Sequence, residues 1–151
     1  MQRTRLCYIR GVRILVALDF DECSSLPCRW VLAHAGGLGA DAVIFHHVAE
    51  PGDPEEELDE LERTTRELRK LVESFANEMP LPDEIEVRYK VSSGKPADEI
   101  LRAASAHRAD TIVMGTNSRK GFDRLLLGSV AESVVRAAPC TVIVVKPGAG
   151  A

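Results

Sequence analysis

Three places in this 151-residue chain bring together residue types that can hold a polar ligand. Asp19 stands where the apolar run "VRILVAL" ends, which puts a carboxylate at the tip of that run. Gly115 closes another apolar run, "ADTIVMG"; having no side chain, it can take positive φ and lets a ligand come close to the backbone. Gly128 and Ser129, in "GSVAE", open a helical pattern whose first N–H groups and macrodipole favour negative charge. Together these outline a phosphate site. The alternative is equally concrete: Ser129-x-x-Glu132 has the spacing of a capping box, which would satisfy the same N–H groups without a ligand.

Other chemistry is poorly supplied. The chain has neither G-x-G-x-x-G nor G-x4-G-K-[ST], and "SSGKP" follows Gly94 and Lys95 with Pro96, so it reads as a turn. Hydrolysis needs a positioned base or a metal-activated water, and Asp19 has no partner identifiable from the sequence, so turnover is not expected. His46 and His47 are neighbours in a strand pattern, point to opposite faces and cannot share a metal; one of them is expected in the core. Cys7, Cys23, Cys28 and Cys140 follow no zinc spacing and read as reduced thiols; Cys23 and Cys28, five apart, do not face each other cleanly.

The elements that must position these residues alternate in period. "VRILVAL", Val12 to Leu18, is dense in β-branched residues and reads as a strand covered on both faces. Trp30, Val31, Ala33, His34 and Leu38 recur at helical spacing, with Pro27 in the first turn, "GGLG" at the end and Trp30 in the core. "DAVIFHHV", Asp41 to Val48, is a second strand. A long helix follows the acidic loop, its apolar stripe running through Leu58, Leu61, Thr65, Leu68, Leu71, Val72 and Phe75, with Glu60, Glu62, Arg66, Arg69 and Lys70 on a solvated face. "IEVRYKV" alternates as a third strand, and "ADEILRAASAHR" is a helix opened by Pro96. "ADTIVMG" is the fourth strand. A helix from about Val130 to Ala137 then leads to a fifth strand, "CTVIVVK", Cys140 to Lys146.

Five strands alternating with helices imply βαβ units and a parallel sheet with helices on both faces. In such sheets ligands bind beyond the carboxyl ends of the strands, where the connections diverge to opposite sides. Asp19 and Gly115 flank one such crevice if strands one and four are neighbours.

The composition fits this frame. Residues 12–147 make one α/β domain, with 1–11 expected as a disordered extension and 148–151 as a tail. A net charge of −4 gives no electrostatic case for nucleic acid or an anionic membrane, so any anion must be held locally. There is no run of about 18 apolar residues and no apolar segment behind the basic start, so a cytoplasmic protein is expected. The last strand is long, apolar and free of internal proline, and at a sheet edge it invites pairing with a second chain.

Taken in order, "RILVALDFDE", "IFHHV", "ADTIVMGT" and "LLLGSVAESVVRAAPCTVIVVK" resemble the universal stress protein family over roughly Val12 to Pro147. The resemblance implies a three-layer, doubly wound, five-stranded parallel sheet of order 3-2-1-4-5, and homodimers joined through the edge strand 140–146. It also implies ATP as ligand. The nucleotide-binding branch carries a G-x2-G-x9-G-[S/T] loop around the phosphates, and here its positions fall on Gly115, Ser118, Gly128 and Ser129. Serine stands in place of the second glycine. Its Cβ would oppose a phosphate or a positive φ, while its hydroxyl can donate to a phosphate oxygen, as Arg119 or Lys120 can supply charge. By the same resemblance Asp19 meets the ribose or a magnesium ion on the phosphates, the Val48 backbone meets adenine, Met114 and Gly115 form the floor, Ala17 and Leu18 lead into Asp19, and Val130 turns its N–H to the phosphates. The expected function is an ATP-binding stress sensor or regulator without a catalytic side chain. The alternatives are a dimeric interaction protein that has lost the phosphate fit, and a slow ATPase.

Overall fold

The structure, a computed structural model, describes residues 10–21, 25–116 and 127–148. The chain order is β1 (Val12–Ala17), α1 (Ser25–His34), β2 (Ala40–Ala49), α2 (Glu57–Ala76), β3 (Glu86–Ser93), α3 (Pro96–Ala106), β4 (Thr111–Gly115), α4 (Ser129–Ala137) and β5 (Thr141–Val145). The five strands form one sheet in the order β3-β2-β1-β4-β5, with every pairing parallel, as the family resemblance implied.

The unbroken apolar run of β1 follows from its place at the centre. Val16 pairs with Phe45 of β2 on one side and Val113 of β4 on the other, and Ile14, Leu15 and Val16 are all fully buried. Its side chains divide between two cores. Ile14 and Val16 join Val43, Phe45 and Val113 under Cys28, Val31 and Leu32 of α1 and Leu68 and Val72 of α2. Leu15 joins Ile44, Ile112 and Met114 under Ile100, Ala103 and Ala104 of α3 and Ala131 and Val134 of α4. The alanines on α3 and α4 keep that second layer close to the strands.

Several boundaries differ from the sequence reading. Helix α1 ends at His34, so Leu38 lies in the following turn and is exposed. Trp30 is only partly buried: it stacks on His34 at 4.4 Å and covers the margin of the first core. Leu58 has helical spacing but sits in the first turn of α2 and is 72% exposed. Strand β3 runs on through Ser92 and Ser93, because both pair with β2, and the turn begins only at Gly94. There φ is +144°, and a Cβ would lie 3.1 Å from the Glu99 Cγ. Glu99 is buried over this turn and paired with Arg102. Residues 1–9 of the expected extension lie outside the described residues; Arg10 is joined to Asp110 at 2.9 Å. Among the described helices none is long and apolar enough to cross a membrane.

Candidate functional site

Strand β1 leads to α1 on one face of the sheet and β4 leads to α4 on the other, so the chain diverges between neighbouring strand ends. A cleft of about 540 Å³ opens there, within the range of small-molecule sites. Its floor comes from the strand ends: Ala17, Leu18 and Asp19 after β1, His46, His47, Val48 and Glu50 around the end of β2, and Met114, Gly115 and Thr116 at β4. Gly128, Ser129, Val130 and Ala131 bring in the start of α4, with Pro27 from α1 and Pro96 and Ile100 from α3 at the sides.

Of the residues singled out from the sequence, Ala17, Leu18, Asp19, Val48, Met114, Gly115, Gly128, Ser129 and Val130 therefore line one cleft. Ser118 and Arg119, like Lys120, lie outside the described residues. The segment's flanks are joined, since the Gly128 amide donates to the Thr116 carbonyl at 3.0 Å and ties the start of α4 to the end of β4.

The capping box does not form. Gly128 is the N-cap, with extended backbone, so Ser129 is already the first helical residue and no side chain caps the helix. The first bond of the helix runs from the Glu132 amide to the Gly128 carbonyl, and the Glu132 carboxylate turns away to Arg136 at 2.8 Å. The N–H groups of the first turn thus meet the cleft without a side-chain cap, as an anion requires. Gly115 uses only one of the two freedoms expected of it, room at the backbone and not positive φ. Its φ is not positive, and an added Cβ would find nothing nearer than the Pro27 Cδ at 4.0 Å. The fold does not need glycine there; its bareness leaves room above the floor.

The two histidines were underrated by the sequence reading. His46 is the core residue, 1% exposed on the α3 face, with its Nε2 2.8 Å from the Ser92 Oγ and its Nδ1 buried without a partner. Burial, helped by the charges of His47, Lys90 and His107, pushes its pKa down to about 4, so the imidazole is neutral at pH 7. His47 faces the opposite side, its Nδ1 2.8 Å from the Leu18 carbonyl and its ring edge-on to Phe20 at 4.6 Å. Both still line the cleft, because it straddles the edge of the sheet. The available signal was their position immediately before Val48.

The described lining residues include no lysine or arginine, so among them the attraction for an anion comes from the α4 amides. No three histidine, cysteine or acidic side chains among the described residues gather to hold a metal. Cys28 is fully buried, which pushes its thiol up to about 12 and keeps it unreactive. Cys23 lies outside the described residues.

The fold recurs in known proteins. A universal stress protein of Thermus aquaticus is 33% identical over 138 residues, a match spanning 88% of this chain and 97% of that one. A solved universal stress protein in complex with cAMP superposes with a TM-score of 0.69 at 19% identity, covering 90% of this chain and 97% of the other. Another, from Archaeoglobus fulgidus in complex with dAMP, gives 0.60 at 21% identity, covering 91% and 100%. At these identities the two solved structures speak to the fold. The family model for the universal stress protein family matches residues 12–146, and on that match the chain belongs to this family.

Proposed function

We propose that the protein binds an adenine nucleotide, ATP foremost, across the mouth of its sheet and serves as a regulator that responds to it. The observation that carries this reading is the uncapped first turn of α4, held against the end of β4 and opening onto a floor where Gly115 has no side chain. Phosphates would rest on the amides at Ser129 and Val130 beside Gly115 and Gly128, the sugar at Asp19, and the base against Val48 over Ala17 and Met114. Ser118 and Arg119 are the further candidates for phosphate contact from the segment outside the described residues. That two proteins sharing this fold are complexed with cAMP and dAMP supports the choice of an adenine ligand. A magnesium ion arriving with ATP would be neutralised by Asp19 and would offset phosphate charge.

In this reading the nucleotide is held and not turned over, since no described lining residue couples a general base to a water-activating partner. The setting is the cytoplasm, where adenine nucleotides are abundant. The working unit is a homodimer joined along the 140–146 edge, an assignment supported by β5 being the outermost strand with Val142 to Val145 only partly covered.

A thermal-shift titration with ATP and magnesium tests the reading. Ligand at about 100 times its dissociation constant adds about 2.7 kcal/mol, a rise in midpoint of roughly 5–10 °C for a domain of this size. An unchanged midpoint at saturating concentration would remove the nucleotide and leave the dimeric interaction protein. Phosphate release in the same sample would turn the regulator into an ATPase.

A further inference from the structure

Strand β3 closes the side of the sheet opposite β5, so its outer edge pairs with no strand among the described residues. The two faces of that edge differ. Towards α2 stand Val87, Tyr89 and Val91, of which Val91 is buried, Tyr89 half-buried and Val87 38% exposed. On the other face Arg88 and Lys90 share the side of Ile44 and His46, their partners on β2. Helix α3 packs over β1 and β2 there, and no described β3 residue enters the core beneath it. Arg88 and Lys90 thus stand exposed on an open strip beside α3.

The charges on this strip do not balance. Glu86 is joined to Arg88 at 2.8 Å and Glu99 to Arg102, whereas Lys90 has no ion pair with a described residue. His107, just past the end of α3, registers the crowding of cations: burial first, then Arg88, Lys90 and Arg13, push its pKa down. The net charge of the chain is −4, so this local excess of cations contrasts with the rest of the surface and attracts carboxylates. Charged side chains also guard an edge against self-pairing. Two copies paired antiparallel about Tyr89 would set Arg88 against Lys90, like charge against like. The same cations that repel a second copy suit an acidic strand. We propose that the outer edge of β3 is an interaction surface for an extended acidic segment of another protein, which adds to the sheet as a sixth strand. Carboxylates on alternate residues of that segment, roughly 7 Å apart, meet Arg88 and Lys90, and the apolar residues between them lie beside Val87 and Tyr89. No described β3 residue lines the cleft, so the proposal does not rest on the nucleotide reading.

Fluorescence anisotropy with labelled peptides of eight residues, the length of β3, tests it. One peptide alternates glutamate and valine; the other has the same composition with its glutamates in one block. The alternating peptide should bind the wild type roughly tenfold more tightly than the block peptide, and Lys90→Glu should weaken it by roughly tenfold or more. Lys90 is exposed, so the variant should keep the wild-type urea midpoint. Hydrogen exchange of the β3 amides should slow in the peptide complex, because an added strand bonds to that edge. Equal binding of the two peptides, unchanged affinity in Lys90→Glu, or binding without slowed β3 exchange would reduce the strip to general attraction and overturn the proposal. Binding of neither peptide also overturns it; if the wild type then associates beyond a dimer and Lys90→Glu does not, the edge belongs to a second copy.

Discussion

Replacing His46 by phenylalanine tests whether burial or polarity dominates at the centre of the cleft wall. The imidazole is 1% exposed, has one hydrogen bond, to Ser92, and carries a second nitrogen with no partner. Its pKa falls from 6.5 to about 4 on folding. The unfolded chain therefore takes up a proton near pH 6.5, whereas the folded chain resists until about pH 4. The stability that comes from keeping this group neutral is fully present above pH 6.5 and is lost as the pH falls through that window. The loss follows a slope of about 1.36 kcal/mol per pH unit and amounts to roughly 3 kcal/mol by pH 4. His46→Phe has nothing to protonate. Carboxylates and the remaining histidines titrate alike in both proteins, and the loss of the Ser92 partner is independent of pH, so both cancel in the comparison. Urea denaturation at intervals from pH 7 to pH 4 should show the variant gaining on the wild type by about 3 kcal/mol. Parallel stability curves would mean that the folded protein protonates His46 freely, and would refute the description of this wall as closed to charge.

Gly115→Val should leave stability within about 1 kcal/mol, because the position has ordinary φ and an added Cβ meets nothing nearer than 4.0 Å; nucleotide affinity should fall tenfold or more, as read by parallel urea and binding titrations. Gly94→Ala should instead cost about 1–3 kcal/mol in the urea experiment, since φ of +144° strains any L-residue and its Cβ would press on Glu99. Light scattering should give twice the 16.5 kDa of one chain, and a charged residue at Val144 on β5 should return it to the single value. A wild-type mass of 16.5 kDa would contradict the edge pairing.

A parallel sheet covered on both faces was legible in the unbroken apolar run of β1, whereas the strand order, and with it the meeting of Gly115, Gly128 and Ser129 in one cleft, followed from the family resemblance. What escaped depended on single-residue offsets. Serine at 129 followed by glutamate at 132 has a capping box's spacing, but the helix begins one residue earlier than that box requires, and only the backbone at Gly128 decides between the two. Leu58 and Leu38 obey the helical period yet are exposed, since periodicity marks a face without saying whether the sheet extends beneath it. At Gly115 positive φ and room at the backbone were both open from the sequence, which cannot separate a glycine needed for φ from one needed for space; the backbone shows that space is what it supplies. The histidines lay hidden because alternation placed them on opposite faces, while the cleft wraps round the sheet's edge and reaches both.

The account stands on the α4 amides as the anchor for phosphate, and residue-resolved amide NMR during an AMP titration reads them directly. The resonances of Gly115, Ser129 and Val130 should move together and saturate at one dissociation constant, with Val48 following at the base end. Saturable binding that leaves Ser129 and Val130 unmoved while shifting residues elsewhere would contradict the account.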